Sequence, residues 1–368
     1  MPRWLSECAQ QADRTQLPRT VPRGEELVCP LGRTSRAHCS WTLHGSAPHG
    51  GIAMAAPTAQ PIDPEPWPRS MPLAEWRATR DTLHMWMQMV GKTRLALAPP
   101  QNHWWHVALY VTARGLTSSP IPSGARTFEV DFDFIDHRLL VKTSEGAIRD
   151  IALRPLTVAD FYREYMALLA SLGIAVKLRP VPTEADHTLP FAEDRVHASY
   201  DAVQAQRFFQ MLRQADRITK RFQGRFLGKS SPVHFFWGAF DLALTRFSGR
   251  RASHTDTDWW VIREANSHEE ISVGFWPGSG TVAEPAFYAY ARPEPAGLAA
   301  TSVRPATARY DPALADFVFP YEAARSASSP DDAVLEFYQS VYDAAANLAR
   351  WDRAALDRPP AEWSSRRL

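Results

Sequence analysis

The chain predicts an α+β fold built from two related halves, each running helix, antiparallel strands, helix. Three observations carry this expectation. First, residues 93–116 (TRLALAPPQNHWWHVALYVTARGL) align without a gap against residues 224–247 (GRFLGKSSPVHFFWGAFDLALTRF). That register puts Arg94 on Arg225, His103 on His234, Trp104-Trp105 on Phe235-Phe236 and Leu109 on Phe240. Second, each block follows a helix-like segment and precedes further aromatic strands. Third, the strand-like segments are grouped between helices and do not alternate with them, which favours antiparallel sheets over a parallel one.

In chain order, residues 54–70 are rich in Pro and Ala and read as a linker. Leu73, Trp76, Leu83, Trp86, Met87 and Val90 then recur at helical spacing. Strands are expected at 93–98, 103–113, 127–135, 138–143 and 147–153, the last two joined by a turn in which Gly146 takes positive φ. Thr157 and Asp160 form a capping box that opens a helix closed by Gly173. A short strand, IAVKLRP, and a proline-punctuated connector over 180–194 follow. The second half predicts a helix over 201–218 and strands near 224–228, 233–246, 259–264, 270–276, 286–291 and 316–320. Ser329-Pro330-Asp331-Asp332 starts a last helix, with Pro in the first turn and acids at the positive helix end. The organisation is therefore 1–70 as a disordered extension and linker, 71–180 as the first half and 195–357 as the second, the two halves forming one compact unit.

Composition narrows the function classes. A net charge of +1 over 368 residues gives no field to draw nucleic acid or an anionic membrane. No run of 18 apolar residues exists to span a bilayer. Residues 1–53 hold Cys8, Cys29 and Cys39, whose spacings match no zinc motif, and lack the apolar stretch of a secretory signal. They read as an extension, or as translation from an early start codon, and the expected location is cytoplasmic. From residue 54 onward there is no cysteine, so thiol catalysis is excluded from the body. Five lysines against 36 arginines, with abundant Ala and Pro, fit a GC-rich bacterial coding sequence.

Strand alternation sets Glu129, Asp131 and Asp133 on the face opposite Phe128, Val130 and Phe132. Carboxylates so aligned suit a divalent cation or acid–base hydrolysis, and they equally suit a solvated strand face. His103 and His106, three apart on a strand, point to opposite faces. His106 falls with Tyr110 and Arg114 on the polar one, while His103 reads as core. Asp241 is a charge inside an apolar strand, and such a carboxylate needs a partner; Arg246, Arg250 and Arg251 are the nearby cations, and Asp241 with Arg246 is also a candidate for a site role. Arg250 and Arg251 in the SGRRASH loop suit an anion. His268 and Glu269 complete the candidate set, although a HExxH zinc motif fails at Ser272 and the GKT at 91–93 lacks the earlier glycine of a phosphate loop. Thirteen tryptophans suit either a core or a pocket for a planar or acyl ligand.

Read together, NHWWHVALYVTARGL, FEVDFDFIDH, DRVHASYD, SPVHFFWGAFDLALTRFSGRRA, FWPGSG and EPAFYAYARPEP resemble the uncharacterised bacterial family DUF5996 over about residues 71–357. The resemblance implies that residues 1–55 lie outside the fold. It transfers no activity, so no residue inherits a role. Three functions compete: a small-molecule-binding protein with an aromatic cavity between the halves, a metal- or carboxylate-dependent hydrolase, and a scaffold with exposed aromatics. The first is preferred, with the cofactor and oligomeric state left open. Unmatched positions of the repeat, Tyr110 against Asp241 and His106 against Trp237, are where an asymmetric site is expected.

Overall fold

The computed structural model describes residues 65–185, 188–253, 260–278 and 282–360. Helix α1 (Leu73–Leu97) leads into a 3-10 segment (Asn102–Val107). Strands β1 (Tyr110–Val111), β2 (Gly115–Thr117), β3 (Ile121–Ser123), β4 (Arg126–Asp133), β5 (Arg138–Thr143) and β6 (Ile148–Ala152) follow, then α2 (Val158–Ser171). Next come α3 (Ala202–Gln223), β7 (His234–Phe236), β8 (Asp241–Arg251) and α4 (Trp260–Ala265). The chain continues through β9 (His268–Trp276), β10 (Ala286–Arg292), β11 (Arg309–Asp311) and β12 (Asp316–Pro320) to α5 (Tyr321–Arg325), α6 (Pro330–Leu348) and α7 (Arg353–Leu356).

The strands form two antiparallel six-stranded sheets, ordered β1-β2-β4-β5-β6 with β3 beside β4, and β11-β12-β10-β9-β8-β7. The α+β class therefore holds. Strands β1 and β7 are the end strands of the two sheets, and they meet: Leu109 and Phe235 exchange both backbone hydrogen bonds, at 2.9 and 2.8 Å. The sheets thus continue one another, and side-chain alternation runs on across the seam. Residues such as Phe128, Val130, Leu244, Phe275 and Phe287 turn to the helices. The opposite face carries no long helix among the described residues.

Each half also ties its helix pair in the same way. Thr93 on α1 meets the Tyr165 hydroxyl of α2 at 2.9 Å, and Thr219 on α3 meets that of Tyr338 on α6 at 3.5 Å. Both pairs are buried, where a hydroxyl left alone costs about 1–3 kcal/mol. The spacing between these threonines is 126 residues, and Leu109 and Phe235 are 126 apart as well.

Several expected elements differ. Residues 93–97 complete α1, because Pro99-Pro100 is what stops that helix. The 103–113 strand breaks into the 3-10 segment and a two-residue strand. Residues 260–265 are helical where a strand was expected; 224–228 and IAVKLRP hold no strand. The 233–246 strand is a hairpin, since Trp237–Phe240 turn with Phe240 at φ 63. Trp237 in that turn is structural. Its Nε1 donates to Val107 O at 2.8 Å, and its ring lies so close over Gly91 that a Cβ there would overlap it. The capping box, Gly146 (φ 85) and Gly173 (φ 69) are as expected. The extension up to residue 64 and its cysteines lie outside the described residues, but the end of the supposed linker is packed. Trp67 Nε1 donates to Asp331 at 3.0 Å, and Tyr321 donates to Pro68 O at 2.8 Å.

Arg246 belongs to the helix face and is not paired with Asp241. Its guanidinium is 3.5 Å from the Phe222 ring centroid and 4.5 Å from that of Tyr342, and it donates to Phe222 O. Burial pushes its pKa down to about 9, the nearby Tyr342 opposing that shift. Arg246→Ala is expected to cost about 3 kcal/mol, from lost packing as much as lost charge, with Arg246→Met recovering at least half. Urea denaturation of the three proteins checks this.

Candidate functional site

The face turned away from the helices concentrates polar and aromatic groups. One row of cross-strand neighbours runs Asp131, Thr117, Tyr110, then across the seam to His234, Ala243, Gly274 and Tyr288. Tyr110 and His234 meet there with ring centroids 5.5 Å apart. Phe236 lies 5.3 Å and Trp105 5.7 Å from the same imidazole. His234 is 1 % exposed and neither ring nitrogen has a hydrogen-bond partner. Burial, reinforced by the charge of Arg94, lowers its pKa to about 3, so it is neutral at any working pH.

The 3-10 segment caps this region from above the sheet. His103 and Trp104 both adopt left-handed backbone (φ 57 and 61), a conformation costing about 1–3 kcal/mol for a residue with a side chain. It is held by α4, since His103 Nδ1 donates to Ala265 O at 2.7 Å and Trp104 Nε1 to Val261 O at 3.2 Å. That bond fixes the tautomer and leaves His103 Nε2 as a buried acceptor without a partner. The His103 ring stacks 4.5 Å from Phe247 on β8.

Toward β10 the same face carries a file of titratable groups. Tyr288 crosses Gly274 to donate to Asp241 Oδ2 at 2.5 Å and to Leu242 O at 3.0 Å. A Cβ on Gly274 would overlap the Leu242 carbonyl and come within 2.5 Å of the Tyr288 hydroxyl, so glycine is what lets the tyrosine lie flat. Asp241 is 9 % exposed, and its Oδ1 is buried and unpartnered. Burial raises its carboxyl to about 7, with the Tyr288 bond pulling the other way. Further along lie Glu270, raised to about 8 by burial, and Asp316, raised to about 6 against the pull of Arg292 at 3.3 Å. Thr245 and Ser272 (3.1 Å apart) and the stacked rings of Tyr288 and Tyr290 fill the space between.

The expected site residues do not converge on one point. Tyr110, Asp131, Asp133, Asp241 and His268 share the open face, whereas Arg246 and Glu269 turn to the other. Asp131 is paired with Lys142 at 2.6 Å through one oxygen, the other being buried without a partner. Asp133 is held below the usual carboxylate range: burial opposes ionisation, but bonds from Arg114 and from the Ile135 and Asp136 amides outweigh it. Arg114 also pairs with Asp136 at 2.6 Å. His106 accepts from Gln101 N at 3.1 Å, and its carbonyl takes a bond from Arg94, whose guanidinium lies 5.4 Å from the Tyr110 ring. Glu269 binds Arg250 at 2.6 Å, so that loop arginine is engaged internally. His268 sits 5.7 Å from His103. Among the described residues no group of three His, Cys, Asp or Glu is placed to hold a metal ion. His103, read as core, and its aligned counterpart His234, together with Tyr288 and Glu270, are what the face adds. Alternation in HEEISVGFW and AFYAYAR already separates Glu270, Ser272, Tyr288 and Tyr290 from the apolar partners behind them.

A family model described as a family of unknown function, DUF5996, matches residues 67–358, beginning at the first tryptophan packed onto the body. No curated protein and no solved structure matches the chain. Among the described residues no helix is long and apolar enough to cross a membrane.

A carboxyl whose folded pKa lies above its unfolded value destabilises the fold when ionised. The penalty is absent below about 4 and complete above about 7, so stability falls as pH rises through that window. Asp241→Asn is therefore expected to raise the unfolding free energy by on the order of 2 kcal/mol at pH 8 and to leave it nearly unchanged at pH 4, read by urea denaturation at both. Gly274→Ala, by displacing Tyr288, is expected to lose more than about 2 kcal/mol at either pH.

Proposed function

Since the chain belongs to DUF5996, a family of unknown function, we propose from the open face alone that it binds a small molecule where the two sheets meet. One observation carries the reading. Among the described residues ten buried side-chain polar atoms lack a partner, and five of them lie on the open face: both nitrogens of His234, His103 Nε2 and Asp241 Oδ1 at the seam or near it, and Asp131 Oδ1 farther out. Each such atom costs about 1–3 kcal/mol in the free protein. A bound ligand with donors and acceptors removes that cost, and the rings of Trp105, Tyr110, Phe236 and Tyr288 supply apolar contact around it. The left-handed backbone at His103 and Trp104 is strain of the kind that accompanies ligand sites.

The hydrolase alternative has less support, because Asp131, Asp133, His106, His268 and Glu269 sit at separate places with separate partners. A scaffold role has less still. Trp260 is the one aromatic among the exposed large hydrophobics of the described residues. We place the ligand among the cytoplasmic metabolites of a bacterial cell, on the arginine-, alanine- and proline-rich composition.

The decisive variant is His234→Leu, which keeps the volume and removes both unpartnered nitrogens. A structural histidine predicts a loss of stability on this change. A ligand-facing one predicts a higher Tm without ligand together with loss of binding. In a thermal-shift screen of amines, carboxylates, sugars, nucleotides and planar heterocycles at 1 mM, at least one class is expected to raise the wild-type Tm by about 2 °C or more. The shift should vanish in His234→Leu and persist in Lys142→Ala. No stabilisation by any class, with the protein folded, overturns the reading.

A further inference from the structure

Asp241 is a buried carboxylate without a cation. Its sequence-expected partner Arg246 points through the sheet to the helices, and the one charge felt at Asp241 from elsewhere is Asp316, of the same sign. Burying an ionised carboxylate with no counter-charge is among the costlier arrangements a protein can hold. What surrounds it instead is aromatic. Phe236 on β7 faces Asp241 directly across the strands. On the other side, the β8–β9 register that pairs Leu242 with Phe275 continues to place Trp276 opposite Asp241. Tyr288 closes the third side, its hydroxyl 2.5 Å from Oδ2. Phe236, Trp276 and Tyr288 are each half-buried, so their rings are within reach of solvent.

We propose that Asp241, Phe236, Trp276 and Tyr288 form an ammonium-binding site, with the ligand's primary or N-methylated amine against Asp241 Oδ1 and its substituents on the three rings. The proposal rests on the reading of the open face as a ligand site and assigns the ligand's chemical class. Three aromatic rings attract a cation through their quadrupoles and stay apolar toward its methylenes or methyls. The carboxylate provides the charge that a neutral or anionic ligand would not need. The Tyr288 bond to Oδ2 leaves Oδ1 as the free acceptor, so the tyrosine orients the carboxylate. The other titratable groups on this part of the face do not compete for the amine. His234 on β7 is neutral, Asp316 on β12 is matched by Arg292, and Glu270 on β9 stands opposite that same arginine.

The test is calorimetric titration of the full chain at pH 8 with ethylammonium, putrescine and tetramethylammonium, beside acetate and glucose as anionic and neutral probes. Saturable binding of at least one amine is expected, weakened at least tenfold in Asp241→Asn and at least threefold in Trp276→Ala. Asp241→Asn keeps an acceptor for Tyr288, and its Tm reports that the fold is intact. Acetate or glucose binding, abolished by His234→Leu, while no amine binds, overturns the ammonium site and leaves the open-face reading standing. Amine binding unchanged in Asp241→Asn also overturns it. No binding by any probe here, with no stabilisation in the broader screen, overturns both.

Discussion

The pair of backbone hydrogen bonds between Leu109 and Phe235 is the constraint on which the rest of this structure depends. An edge strand presents a row of unpaired N–H and C=O groups that must be paired, covered or left to water. Here β1 and β7 satisfy each other. Joining them makes two modest sheets into one wide surface with a common inside and outside. All the long helices then pack on one side, and the other is left as a platform. The side-chain rows that cross the seam, Tyr110 to His234 above all, exist because this junction sets their register.

Burial on that platform is what makes its chemistry unusual. The same desolvation raises Asp241, Glu270 and Asp316 and lowers His234, which shifts all four toward their neutral forms relative to a solvated surface. Contrast the outer face of the first sheet, where Lys142 and Arg114 neutralise Asp131 and Asp133 in reach of water. The two sheets have therefore solved the polar face in different ways. The first uses ion pairs; the second sets Asp241 among aromatic rings and pairs Asp316 with Arg292. Asp241 and Tyr110, unmatched positions of the aromatic repeat, both fall on the second kind of surface or at its border.

Much of the fold was legible in local pattern. Alternation marked β4, β5, β9, β10 and β12, and caps marked α2 and α6, because those signals are set by residues within a turn or a pleat of one another. Segments 93–97 and 260–265 misled for a common reason. Short apolar runs carry no distinguishable period, so tertiary packing decides between helix and strand. The 102–107 segment misled for another. Its left-handed residues are His103 and Trp104, neither a glycine, and only the contacts with α4 hold them there. The candidate site was half legible. Asp241 declared itself as a charge in an apolar strand, but its expected partner Arg246 lies five residues on, and an odd separation along a strand puts the two on opposite faces.

By itself the sequence determined the α+β class, the family and the polar alternation of the strands. The class and the alternation follow from periodicity, which acts over a few residues, and the family from its motifs. Only the tertiary structure decided which strands meet at the seam, which face the helices cover, and that Asp241 and His234 lack partners. Those depend on approaches between residues distant in the chain, such as Leu109 with Phe235 or Asp241 with Tyr288, and no local pattern encodes what such an approach leaves unpaired.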